Sequence, residues 1–68
     1  MKFYISFGQT HTHSINGVTI DKDCVVEIEA ESRGAAHERA MDIFDGVFHN
    51  VYDEPHINYF PRGIVLSI

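Results

Sequence analysis

Two alternating runs on either side of an Asn16-Gly17 dipeptide constrain this chain more than any other feature. In Lys2 to Gln9, Phe3, Ile5 and Phe7 alternate with Lys2, Tyr4 and Ser6; in Asp23 to Ala30, Val26, Ile28 and Ala30 alternate with Val25, Glu27 and Glu29. Period-two alternation marks strands with one buried face. Asn-Gly favours a two-residue type I′ turn, where both central residues need positive φ. Such a turn pairs Ile15 with Val18, so opposite positions sum to 33 throughout the hairpin. That register sets Phe7 against Val26, Ile5 against Ile28 and Phe3 against Ala30. All six apolar side chains then share one face, whereas a slip of one residue would divide them. The other face sets Tyr4 against Glu29, Ser6 against Glu27 and Lys2 against Glu31, as a solvated surface should. One long hairpin is expected, with the more polar residues 10–22 open to a bulge or a free loop.

The apolar face needs a cover, and Ser32 to Gly46 supplies one. Ala36, Ala40, Ile43, Phe44 and then Val47 recur at helical spacing, while Arg33, His37, Glu38, Arg39, Asp42 and Asp45 fall on the opposite side. Ser32 suits the N-cap and Gly46 a left-handed stop. Val47 to Glu54 reads as a third strand ended by Pro55. Tyr59 to Ile68 reads as a fourth, with an irregular start at Pro61 and Gly63. A right-handed crossover after the helix, passing over strand one, leaves strand one between strands two and three. The expectation is one α+β domain over residues 1–68: a four-stranded antiparallel sheet, ββαββ, ordered 2-1-3-4, with the helix on one face.

Composition narrows the function. A chain of 68 residues buries only ~60% of its unfolded surface, so covering more of it would be stabilising. A hydrophobic fraction of 44% with five Phe and three Tyr indicates a folded globule. Five Lys and Arg against ten Asp and Glu give a formal charge of −5, which disfavours nucleic acid and anionic membranes as direct partners. The single cysteine excludes an intramolecular disulfide and fits a reducing compartment. With neither a signal-peptide pattern nor an apolar run of membrane length, a soluble cytoplasmic domain is expected.

Several short motifs run through the chain: Phe7-Gly8-Gln9, Glu29-Ala30-Glu31-Ser32 leading into the helix, Phe44, Tyr52-Asp53-Glu54, and Phe60-Pro61-Arg62-Gly63. Together they resemble a group of small proteins encoded in bacteriophage and prophage genomes, over nearly the whole length. Ala35 and His37 depart from that group, which has a Glu and then an Arg in the first helical turns; the acidic half of a capping box is thereby lost. The resemblance implies a phage accessory protein acting in the host cytoplasm. It implies no catalytic residue and no cofactor.

Candidate chemistry is sparse. His11 and His13 have the spacing of an HxH metal pair on a strand, with Cys24, Asp21, Asp23 and His56 as conceivable further ligands. A structural metal needs a fuller ligand set, so a metal-dependent mini-enzyme or small-ligand binder is the weaker alternative. Cys24 lies among carboxylates of the wrong sign to activate a thiolate, and no catalytic site is expected. The expected function is protein binding, and the candidate surface is the sheet face opposite the helix. It comprises Tyr4, Glu27, Glu29 and His49 together with Tyr52-Asp53-Glu54, and Val25, Val51 and Val65 should also point there. Rings beside carboxylates suit a host or phage protein with a basic surface, such as a defence or nucleic-acid enzyme to be inhibited. A second copy of the chain, in a homodimer or structural homo-oligomer, is the other candidate partner.

Overall fold

In the computed structural model, residues 1–9 and 12–68 are described. Along the chain lie β1 (Lys2–Ser6), β2 (His13–Ile15), β3 (Val18–Ile20), β4 (Cys24–Glu29), α1 (Arg33–Phe44), β5 (Asn50–Tyr52) and β6 (Gly63–Ser67). The architecture is α+β, with one helix, a four-stranded mixed sheet and a separate two-stranded sheet.

The hairpin forms, but not as one ladder. At its tip Ile15 pairs with Val18 around Asn16 and Gly17, whose φ values are 52° and 80°, the positive pair that a type I′ turn requires. Nearer the ends, Ile5 faces Val26 and Phe3 faces Ile28, two residues off the expected register. Between the two ladders one arm carries residues 6–12 and the other 21–25. The excess on the first arm is even, so alternation survives the shift. Phe3, Ile5, Phe7, Val26 and Ile28 still enter the same core. The break frees β2 and β3 to pair as their own small sheet.

The larger sheet is ordered β5-β1-β4-β6. The first strand of the chain does sit between those on either side of the helix. The fourth expected strand is the correction: β6 lies beside β4 and parallel to it, so the order is not 2-1-3-4 and the sheet is not wholly antiparallel. A hairpin from β5 to β6 would need a tight turn, and the connection 53–62 contains Pro55 and Pro61 and is too long for one. The free edge of β4 offers unpaired backbone groups instead. The Arg62 amide donates to the Asp23 carbonyl at 2.8 Å, and the Ile68 amide to the Glu27 carbonyl at 2.9 Å, fixing β6 along that edge.

Helix α1 is capped as its sequence suggests. The Ser32 hydroxyl accepts from the Ala35 amide at 3.1 Å, and Asp45 and Gly46 both take left-handed conformations after the last turn. The Gly46 amide donates to the Met41 carbonyl at 3.1 Å, a Schellman-type closure. Ala36, Ala40 and Phe44 are buried against the sheet; Val47, placed on the same stripe by spacing, lies past the helix end and is exposed.

Candidate functional site

The connection 53–62 is where the chain gathers its surface rings. Tyr52 ends β5 opposite Tyr4 of β1, on the sheet face away from the helix. From there Asp53 and Glu54 are exposed, and the backbone turns at His56, whose φ is 47°. The Tyr59 amide closes this turn on the His56 carbonyl at 2.9 Å, and the Gly63 amide closes the next on Phe60 at 2.8 Å. These turns bring the rings back over Tyr52. Its ring centroid lies 4.9 Å from that of His56, nearly perpendicular at 75°, and 6.2 Å from that of Phe60. Tyr59 stands 6.3 Å from His56. Tyr52, His56, Tyr59 and Phe60 line an open pocket of ≈ 270 Å³. Beside it, Ile57 and Tyr59 are 63% and 78% exposed.

The far end of the connection is pinned. Arg62 donates from Nη1 to the Thr19 carbonyl at 2.8 Å and pairs with Asp21 at 3.2 Å, tying the connection to the β2–β3 hairpin. The Asp21 carboxyl is held below its ordinary range, first by the Asp23 amide hydrogen bond and then, against some burial, by Arg62.

Of the residues singled out from sequence, Tyr4, Glu27 and Tyr52 share the sheet face opposite the helix. Much of that face is occupied within the chain. Lys2 lies 3.6 Å from Glu27, the N-terminal ammonium 2.7 Å from Glu29, and the Ser67 hydroxyl donates to Glu27 at 2.8 Å. Burial first, and then the neighbouring Glu27 carboxylate, raise the Tyr4 phenol above its ordinary value. His49 is not with them. It is exposed just before β5, its amide donating to the Ser6 carbonyl at 2.7 Å, and alternation puts it with Val51. Val51 itself faces Ile5 and is buried in the core, not outward. Val25 does lie on the outer face, yet it is fully buried. Val65, at the irregularity between the Val25 and Val26 pairs, is half-buried against the core.

The expected metal pair has only one member in view, because His11 lies outside the described residues. His13 packs its ring against Phe7 and Phe44 at 5.5 and 5.1 Å, and its Nε2 donates to the Val47 carbonyl at 2.6 Å. That nitrogen is engaged in structure. Cys24 is fully buried, its sulfur bonded to the Asp21 amide at 3.3 Å, and burial pushes its thiol up. Among the described residues no three His, Cys, Asp or Glu side chains converge as a metal site would require. His56 belongs to the aromatic pocket instead.

Charge is distributed unevenly. Every Lys and Arg is engaged within the chain: Lys2 with Glu27, Lys22 with Asp23, Arg62 with Asp21, Arg33 on the Val51 carbonyl and Arg39 on the Glu29 carbonyl. Among the described residues Glu31, Glu38, Asp42, Asp45, Asp53 and Glu54 are exposed and in no ion pair. Of these, Asp53 and Glu54 adjoin the pocket in the chain.

Sequence reasoning missed His56, Ile57, Tyr59 and Phe60 as surface-forming residues. The signal was present in the density of rings between Pro55 and Pro61. Compared with protein-family models, curated proteins and solved structures, the chain matches none. No helix among the described residues is long and apolar enough to cross a membrane.

Glu27 provides a direct check of the outer face. The Ser67 hydroxyl, more than any other group, holds its carboxyl below the ordinary glutamate range, with Lys2 adding to the effect and burial opposing it. A depressed folded-state pKa means stability that is present above the unfolded value and lost as pH falls through the folded one. Carbon-detected NMR titration should therefore find Glu27 protonating below an unstructured Glu, and Ser67→Ala should move it back upward. An unchanged midpoint in that variant would place the cause elsewhere.

Proposed function

We propose that this protein is a protein-binding module, and that it docks through the Tyr52–Phe60 connection and its flanking carboxylates. The observation that carries this is the exposure of Ile57 and Tyr59 around an open ring-lined pocket, on a segment held at both ends. Interfaces favour aromatic residues at their centre and polar ones at the rim. With its own cations engaged and Asp53 and Glu54 free, the surface calls for a partner with a basic patch, whose approach the charge would steer. The likeness to phage and prophage proteins supports a host or phage protein as that partner, and a host defence or nucleic-acid enzyme is the kind that carries such a patch. This moves the expected interface away from Glu27 and Glu29, whose carboxylates already have partners in the chain.

Affinity capture from host lysate with three baits tests it. The wild-type chain should retain a basic protein, Ile57→Asp with Tyr59→Ala should lose it, and Glu27→Lys with Glu29→Lys should keep most of it. All three should melt cooperatively, because the changed side chains lie outside the core. Capture that survives the Ile57 and Tyr59 changes while failing in the Glu variant would return the interface to the sheet face. Light scattering on the same samples separates hetero-binding from self-association through the exposed Ile64 and Ile68 of the β6 edge.

A further inference from the structure

We propose that the pocket lined by Tyr52, His56, Tyr59 and Phe60 receives the guanidinium of an arginine side chain from the partner. This deepens the proposed function and rests on it. Three observations point to a cation and not merely to something apolar. First, the rings are inclined to each other, Tyr52 to His56 at 75°, Tyr52 to Phe60 at 51° and His56 to Tyr59 at 57°. A group entering the pocket is therefore walled by four aromatic side chains set at different angles. A cation within ~6 Å of a ring centroid is attracted by the negative face of the π system. Second, Asp53 and Glu54 follow Tyr52 directly, are exposed, and take part in no ion pair among the described residues. Third, no Lys or Arg of this chain fills the pocket, since all five are engaged elsewhere.

The third observation also argues against a second copy as the source of the cation. Arg33 and Arg39 hold backbone carbonyls at Val51 and Glu29, and Arg62 anchors the connection itself. Withdrawing Arg33 or Arg62 would loosen the elements that flank the pocket, and withdrawing Arg39 would free the Glu29 carbonyl from the helix. Arginine is favoured over lysine because its guanidinium is flat, weakly hydrated and stacks on rings while still reaching a carboxylate with a forked pair of donors.

An NMR titration of the intact protein with Nα-acetyl-arginine amide tests the assignment, with the citrulline amide as a neutral analogue of the same shape. The arginine compound should shift the ring resonances of Tyr52, His56, Tyr59 and Phe60 saturably. The citrulline compound should bind at least ~3-fold more weakly, the difference a surface cation–π contact makes. Tyr59→Ala should abolish the response, and Asp53→Asn with Glu54→Gln should weaken it. Equal binding of the two amides, shifts that map elsewhere, or no saturable shift at all would overturn the inference. The two levels fail separately. If Ile57→Asp with Tyr59→Ala loses the captured partner while arginine amide does not bind, the docking surface stands and the guanidinium does not. If arginine amide binds and capture is indifferent to those changes, the pocket chemistry stands and the docking surface falls.

Discussion

Ala40→Asp should leave the protein without a cooperative thermal transition. Ala40 is fully buried on the inner face of α1, in the cluster formed with Phe3, Ile5, Phe7 and Ile28. Among the described residues no Lys or Arg belongs to that cluster, so the carboxylate would enter an apolar contact without a cationic partner. Burying an isolated charge costs far more than a small domain has to spare: even a partly relaxed site loses several kcal/mol, against a total stability of ~5–15 kcal/mol for typical domains. At 68 residues this chain belongs at the low end of that range. Met41→Asp, one position along, is the control. Met41 is 47% exposed, and its replacement should change the melting temperature little. Circular dichroism and amide dispersion read both variants. A folded Ala40→Asp protein would mean that α1 does not pack on the sheet through this face.

The helix and the hairpin were legible in the sequence because each rests on local chemistry. Ser32 caps α1, the Asn16-Gly17 pair turns the tip, and alternation assigns the faces. Register was legible only modulo two. Nothing in the side-chain pattern distinguishes Ile5 opposite Ile28 from Ile5 opposite Val26, since both keep the apolar residues together. The place of β6 was not legible at all. Ile64, Leu66 and Ile68 show a strand, and alternation carries no information about which edge it joins or in which direction. That choice is set by the 53–62 connection, whose two prolines disfavour a hairpin and whose end is anchored by Arg62 on Thr19, Asp21 and Asp23. The same connection explains why the exposed surface differs from the one expected from alternation alone. Once it crosses to the β4 edge, Ile57 and Tyr59 stand out from the protein, Glu27 is half-buried beside Lys2 and Ser67, and Val25 is covered where it was expected to be open.

Phe44→Ala should cost about 3–5 kcal/mol, the usual range for truncating a buried phenylalanine, and its effect should be felt first in the β2–β3 hairpin. Phe44 is the last residue of α1 and 1% exposed. Its ring meets Phe7 edge-on at 4.9 Å and His13 at 5.1 Å, while His13 and Phe7 touch at 5.5 Å. Three rings from the helix, the first arm and the hairpin thus close a triangle. The hairpin has only two strands of its own and could not stand alone, because an isolated two-stranded ribbon is marginal in water. It is held by this triangle, by the His13 bond to the Val47 carbonyl, by burial of Ile20, and by Arg62 on Thr19. Removing the Phe44 ring takes away the surface on which His13 rests and leaves a cavity beside Phe7. Native-state hydrogen exchange should therefore show amides of residues 13–20 opening at a lower free energy than those of β1 and β4. His13→Ala should reproduce the local opening with a smaller global loss, since His13 is only half-buried. If Phe44→Ala melts within a degree or two of the wild type, or if protection falls equally in β1 and in the hairpin, the ring triangle does not couple the hairpin to the helix.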